Sequence, residues 1–195
     1  QTCALPIYSN GDWITQLAEF KKNGIQWIQY RDKVANSASR YHSAVKLRAL
    51  TENIGIKLLI NDDVALAIAC GADGVHLGQE DMPVLAARTI APHLILGLST
   101  HNREQVLDAA NLPIDYIAVG PIFTTSSKEN PEACEGPELI RYASEISDKP
   151  IVAIGGITEN RIASVKNAGA TAIAAIQSFS NSTSLRACAR AWQNF

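Results

Sequence analysis

The chain has 195 residues, a formal net charge of −2, 47% hydrophobic and 18% charged residues. That length suits one domain with a single core, and the balance of charge gives no electrostatic case for nucleic acid or an anionic membrane surface. No apolar run is long enough to span a bilayer and no signal-peptide pattern opens the chain; the cysteines (Cys3, Cys70, Cys134, Cys188) are widely spaced without a CxxC pair, so neither zinc nor a disulfide framework is indicated and a cytoplasmic location is expected.

The first seven residues, Gln1 to Ile7, do not flow into the segment from Tyr8 onward. They resemble a translated sequencing-adapter read and are set aside as a non-native leader, with 8–195 as one domain whose native part begins near Tyr8 or Ser9; the alternative is a genuine extended segment. Trp13, Ile14, Leu17 and Phe20 then share one helical face, and Asn23-Gly24 ends that helix. Ile25 to Tyr30 reads as a strand, and a helix carrying Tyr41, Ala44, Val45, Leu47 and Leu50 comes next. The strand Lys57 to Ile60 leads into a short helix, Val64 to Cys70, closed by Gly71; Gly74 to Leu77 is the next strand. Pro83 opens a helix through Ile90, Leu94 to Leu98 is a strand, Arg103 to Ala110 a helix and Tyr116 to Val119 a strand. The rhythm continues with a helix from Pro137 to Ile146, a strand from Ile151 to Ile154 and a helix capped at Thr158-Glu159-Asn160 that ends before Gly169. A strand from Thr171 to Ala175 and a helix from Ser184 to Asn194 close the chain.

Strictly alternating β and α units imply a parallel sheet buried under helices. A closed (β/α)₈ barrel is favoured over an open sheet because a helix stands in front of the first visible strand and calls for another strand before it. The expected fold is therefore a TIM barrel, N-terminally truncated, with its first strand missing. Such a barrel leaves unpaired edges at Ile25–Tyr30 and Thr171–Ala175, and low stability or aggregation is expected of it.

In a barrel, functional residues gather in the loops after the strands. Those positions hold Gln29, Arg31 and Lys33; Asn61, Asp62 and Asp63; His76, Gln79, Glu80 and Asp81; Ser99 and His101; and Thr124 to Lys128. Gly155-Gly156 and Ala175-Ile176-Gln177 complete the ring. Arg31, Lys33 and Lys128 converging on one mouth imply a polyanionic ligand. Asp62 and Asp81, at the ends of adjacent strands, suit Mg²⁺ held between protein and diphosphate. Gly155-Gly156 with the turn after Ala175 matches the barrel phosphate site after strands seven and eight. Two anion sites and a metal suggest two phosphorylated small-molecule substrates. Taken singly, Arg31 and Lys33 also fit a solvated strand end, and Asp62-Asp63 a helix cap. His76 is expected to pack or hydrogen-bond in the mouth rather than react.

The stretches Gln29-Tyr30-Arg31-Asp32-Lys33, Asn61-Asp62-Asp63 and Gly74 to Asp81 resemble those of thiamine-phosphate synthases, as do Gly97 to His101, Gly120-Pro121-Ile122-Phe123 and Ile154 to Ile157. The resemblance runs from Asp12 onward, in order. It implies a transferase that joins 4-amino-5-hydroxymethyl-2-methylpyrimidine diphosphate to hydroxyethylthiazole phosphate, giving thiamine phosphate and pyrophosphate, whose departure leaves a carbocation-like pyrimidine. Carried over, Gln29 meets the pyrimidine; Arg31, Lys33, Asn61, Ser99 and Lys128 hold the diphosphate; Asp62 and Asp81 bind Mg²⁺. Thr125, Ser127, Gly156, Ile176 and Gln177 hold the thiazole phosphate. Arg31 and Lys128 are the side chains expected to carry catalysis, by stabilising charge on the leaving group. Gln177 stands where many members have a small hydroxylated residue, and Thr124 where many have Pro. The alternative is the sister family of thiazole tautomerases, in which His101 would be the acid or base; Lys33, Asp62 and Asp81 argue against it. A non-catalytic binding protein would need only one of the two anion sites.

Overall fold

The computed structural model describes residues 2–7, 12–124, 136–175 and 182–193. Eight parallel strands close into a barrel in chain order: β1 Thr2–Ile7, β2 Ile25–Tyr30, β3 Lys57–Asn61, β4 Gly74–Leu77, β5 Ile95–Thr100, β6 Tyr116–Val119, β7 Ile151–Ile154 and β8 Ala172–Ala175. The helices are α1 Trp13–Lys22, α2 Ser37–Ile54, α3 Val64–Cys70, α4 Val84–Ile90, α5 Arg103–Ala110, α6 Pro137–Ile146, α7 Ile162–Asn167 and α8 Ser182–Gln193. Their ends obey local chemistry. Asp12, Asn36, Asp63 and Asn102 each accept the backbone N–H three residues on, capping α1, α2, α3 and α5. Gly55 and Gly71 close α2 and α3 at φ 66° and 67°, where a side chain would be strained. Pro83 sits just before α4 rather than inside it, and Glu159–Arg161 is a 3₁₀ turn feeding α7.

The first strand corrects the sequence reading. The position expected to be missing is filled by Thr2–Ile7, the segment set aside as a leader. It pairs with β2 through Cys3↔Trp27 and Ala4↔Ile28, and with β8 through Cys3↔Ala174 and Ala4↔Ala175. The physical reason is that a barrel lacking one strand offers two rows of unmet backbone donors and acceptors, and any short extended segment can satisfy both. Proline is tolerated because the β2 register steps from Ala4 to Ile7 and the last β8 partner is Ala4, so the missing N–H of Pro6 interrupts no pair. The two edges on which the expected instability rested are thus paired.

Alternation divides the strands between two cores. Ile28, Leu58, Ile60, Val75, Leu77, Leu96, Ile117, Val119, Ala153 and Ile173 face the helices and meet Leu17, Phe20, Leu47, Ala67, Val106 and Ile140. Inside, Leu59, Tyr116 and Ala118 form an apolar floor with Trp27, Ile95 and Val152. Gly74 has no room for more: a Cβ there would fall 2.4 Å from the Ile95 carbonyl oxygen. Trp13 and Trp192 belong to the outer core, so all three tryptophans pack rather than present a stacking face to a ligand. Cys70 is a buried free thiol that burial pushes up, consistent with an inert role.

The opposite end of the barrel carries two matching clamps absent from the sequence reading. Asp73, just before β4, accepts the Leu58 N–H of β3 at 2.8 Å and Arg48 of α2 at 2.7 Å. Asp115, just before β6, accepts the Leu96 N–H of β5 at 2.8 Å and Arg88 of α4 at 2.7 Å. Each ties the start of one strand to its predecessor and to an outer helix. Removing the acceptor strands a backbone N–H, which costs about 1–3 kcal/mol. Asp73→Ala is expected to lose stability in that range by urea titration; an unchanged midpoint would show that the clamp contributes nothing.

Candidate active site

The polar ring lies where the strands end, at the mouth opposite the clamps. Along β2 and its exit, Trp27, Gln29 and Arg31 keep to the inward alternation: Trp27 joins the floor, Gln29 is 6% exposed above it, and Arg31 reaches the rim. Lys33 stands exposed two residues on, its Nζ 3.8 Å from Asp62 Oδ2.

At the end of β3 the two adjacent aspartates part company. Asp63 turns outward, caps α3 through Leu66 N–H at 2.9 Å and pairs with Arg40 at 2.9 Å. Asp62 takes φ 65°, the left-handed region, and donates its N–H to the His76 carbonyl at 2.8 Å. A non-glycine residue held there is uncommon and concentrates at functional sites. The dipeptide thus divides its work: Asp63 is the cap, and Asp62 is left to the mouth.

Asp81 comes from the loop after β4, where its Oδ2 accepts the Gly78 N–H at 2.6 Å. Burial pushes the Asp62 carboxyl up, and the neighbouring Asp81 carboxyl pushes it further, against the pull of Lys33 and Arg31. Two carboxylates in contact in a half-buried corner repel one another unless a proton or a cation lies between them. As hard oxygen donors they fit Mg²⁺. No group of three or more His, Cys, Asp or Glu side chains converges among the described residues. A cavity of about 290 Å³ reaches this corner, lined by Tyr30, Asp32, Lys33, Arg40, Ile60, Asn61, Asp62 and Leu66.

On the far side, Ser99 lies at the end of β5, its carbonyl accepting Gln79 Nε2 at 2.6 Å. His101 Nδ1 meets the Gly120 carbonyl oxygen, so the imidazole links the loops after β5 and β6, while the backbone N–H of His101 donates to Gln105 Oε1 at 2.8 Å. After β7, Gly156 has φ 61° and a Cβ would fall 2.7 Å from the Thr124 carbonyl oxygen. The loops after β6 and β7 therefore approach so closely here that the turn has no room for a side chain at position 156. Arg161, which sequence reasoning passed over, pins this turn: its Nη1 donates to the Gly156 carbonyl at 2.7 Å and its guanidinium lies 4.5 Å from the Phe123 ring centroid. Its only signal in the sequence was an arginine a few residues after a strand-end Gly-Gly, too common a pattern to single out.

Gln29, Arg31, Lys33, Asn61, Asp62, Asp81, Ser99 and Gly156 are thus all placed at the C-terminal mouth of the barrel. Thr125, Ser127, Lys128, Ile176 and Gln177 lie outside the described residues.

A closed (β/α)₈ barrel with a ring of polar and charged side chains at the C-terminal ends of its strands has the architecture of the barrel enzymes. A family model described as thiamine monophosphate synthase matches residues 4–179. The chain is 40% identical over 164 residues to a thiamine-phosphate synthase of Dictyoglomus turgidum, covering 84% of this chain and 74% of that protein. It is 41% identical over 167 residues to that of Chloroflexus aurantiacus, covering 86% and 77%. Among solved structures, a thiamine phosphate pyrophosphorylase from Pyrococcus furiosus superposes with a TM-score of 0.86 at 29% identity, covering 99% of this chain and 96% of that one. Phosphoribosyl anthranilate isomerase from Thermotoga maritima, at 12% identity and a TM-score of 0.71, shares the fold alone. The chain belongs to the thiamine monophosphate synthase family.

Proposed function

We propose that this enzyme is a transferase joining 4-amino-5-hydroxymethyl-2-methylpyrimidine diphosphate to hydroxyethylthiazole phosphate, with release of pyrophosphate and thiamine phosphate. The observation that carries this reading is the Asp62–Asp81 pair at the rim with Lys33 and Arg31 acting on it. Acids and cations interleaved in one corner suit a diphosphate and its counter-ion better than a single phosphate. Mg²⁺ bound by Asp62 and Asp81 would supply positive charge to the leaving diphosphate.

The chain's own groups do the rest. Gln29 is assigned to the pyrimidine, and its nearly buried position above the apolar floor supports that role. Arg31 and Lys33 compensate the charge that grows on the departing oxygens, with Lys128 assigned the same task; preorganised charge of this kind needs no general base. Asn61 and Ser99 donate to the diphosphate. Thr125, Ser127, Gly156, Ile176 and Gln177 are assigned to the thiazole phosphate, and the Arg161 bond to the Gly156 carbonyl supports that role by fixing the turn. The substrates are small phosphorylated molecules. No helix among the described residues is long and apolar enough to cross a membrane, and the unpaired thiol of Cys70 supports a reducing, cytoplasmic setting.

Isomerisation through His101 is not favoured: the matching family model and the similar proteins are thiamine-phosphate synthases, and the Nδ1 contact with the Gly120 carbonyl gives the imidazole a part in bracing two loops. The two readings separate in one experiment. His101→Asn keeps a donor at the Nδ1 position, so it is expected to retain most pyrophosphate release, whereas Asp81→Asn is expected to lose it. Activity lost in His101→Asn and kept in Asp81→Asn would move the assignment to the isomerase.

A further inference from the structure

Below the charged rim, His76 joins two groups that lie far apart in the sequence. Its Nδ1 is 2.7 Å from the Tyr116 hydroxyl and its Nε2 is 2.8 Å from Ser99 Oγ. The imidazole stacks on the phenol ring, centroids 5.6 Å apart at 22°, and Trp27 meets the same phenol edge-on at 5.9 Å and 79°. The seat of Tyr116 depends on Gly97, since a Cβ there would lie 1.9 Å from the Tyr116 Cζ and 2.3 Å from its hydroxyl. The ring is therefore clamped by Trp27 on one side and admitted by a missing side chain on another. The hydroxyl is aimed at the imidazole.

Counting hydrogens decides what this chain of groups can do. A neutral imidazole has one donor and one acceptor nitrogen, and a serine hydroxyl has a single hydrogen. In one polarity Ser99 gives its hydrogen inward to Nε2, and Nδ1–H donates to Tyr116. Ser99 then turns lone pairs toward the mouth, where a phosphate oxygen would be repelled. In the other, Tyr116 donates to Nδ1, Nε2–H donates to Ser99 Oγ, and the serine hydrogen is free to point outward. A diphosphate selects the second.

We propose that Tyr116, His76 and Ser99 form a polarised hydrogen-bond relay in which His76 is the Nε2–H tautomer and turns the Ser99 hydroxyl toward the diphosphate. His76 is a positioning residue and acts through Ser99. The relay rests on the reading of Ser99 as a diphosphate contact. The Gln79 bond to the Ser99 carbonyl fixes the backbone of that residue, and the orientation of its hydroxyl is what His76 adds.

The test uses the full chain with pyrophosphate and Mg²⁺ as the probe. Histidine ¹⁵N shifts report the tautomer, with His76 assigned by the signal missing from His76→Gln. The expected result is the neutral Nε2–H form in the presence of the probe; an Nδ1–H or doubly protonated ring there overturns the proposal. Calorimetric affinities give the second readout. A glutamine amide reaches the Nε2 position and an asparagine amide reaches only Nδ1, so His76→Gln is expected to bind pyrophosphate nearly as the parent does. His76→Asn is expected to bind about tenfold more weakly, the scale of one hydrogen bond to a charged acceptor. Equal losses in the two variants that track their melting temperatures would reduce His76 to packing and overturn the relay. Ser99→Ala separates the two levels. Parent-like pyrophosphate affinity in it removes the Ser99 contact and the proposal together. Weak binding in Ser99→Ala with unimpaired His76→Asn removes the relay alone. In the double variant, Asn at position 76 is expected to add no further loss.

Discussion

Asp62→Asn and Asp81→Asn are each expected to slow pyrophosphate release by at least about 100-fold, the usual loss when one group that stabilises transition-state charge is removed. Asparagine keeps an oxygen acceptor at each position, so the Gly78 N–H that Asp81 receives stays paired and the fold is spared. What disappears is negative charge at the corner that would hold the metal. The same substitution at Asp62 has an opposite effect on stability. Its carboxyl is pushed up by burial and by Asp81, so the folded state disfavours the ionised form. A raised carboxyl is fully accommodated below its unfolded value, and that contribution is lost as the pH rises through its folded value. Without divalent metal, the parent should therefore lose stability as the pH climbs from the acid side through that raised value toward neutrality. Asp62→Asn should not, and should melt higher than the parent at neutral pH in a chelator. Added Mg²⁺ should close the gap by stabilising only the parent. Thermal melts with and without Mg²⁺ check this, and a variant that melts lower than the parent in chelator would contradict it.

Deleting residues 2–7 is expected to abolish cooperative folding. β1 pairs with both β2 and β8, so its loss opens two strand edges at once. The expected result is aggregation or a broad, non-cooperative melt. Placing a six-residue strand of different, β-branched sequence at the same position should restore a single transition, because backbone pairing with two neighbours is what the position requires. A monomeric deletion variant that melts as sharply as the parent would show that β1 is not needed to close the barrel.

Most of the barrel could be read locally, and the exceptions have a physical pattern. Ile25 to Tyr30, Val64 to Cys70 and Arg103 to Ala110 carry their own periodicity and end signals, and the observed elements coincide with them. Thr2–Ile7 carries no such pattern. Its conformation is imposed by β2 and β8, which no reading of the segment by itself could reveal. The site divides the same way. The register places Arg31, Asn61, Asp62, Asp81 and Ser99 at one mouth, as their positions after strands implied. Which of Asp62 and Asp63 faces the mouth turns on a single backbone φ, and the sequence left both readings open. His76 and Ser99 are 23 residues apart, and they meet because His76 pairs with Gly97, two residues before Ser99. The clamps at Asp73 and Asp115 were hidden because an aspartate before a strand is ordinary turn chemistry until its partner amide is known.

The most direct measurement is to supply the pyrimidine diphosphate, the thiazole phosphate and Mg²⁺ together and quantify both products. Thiamine phosphate and pyrophosphate are expected in equal amounts, with neither formed when one substrate is withheld. Pyrophosphate or phosphate released without thiamine phosphate, or no product from a folded protein, would contradict the transferase reading.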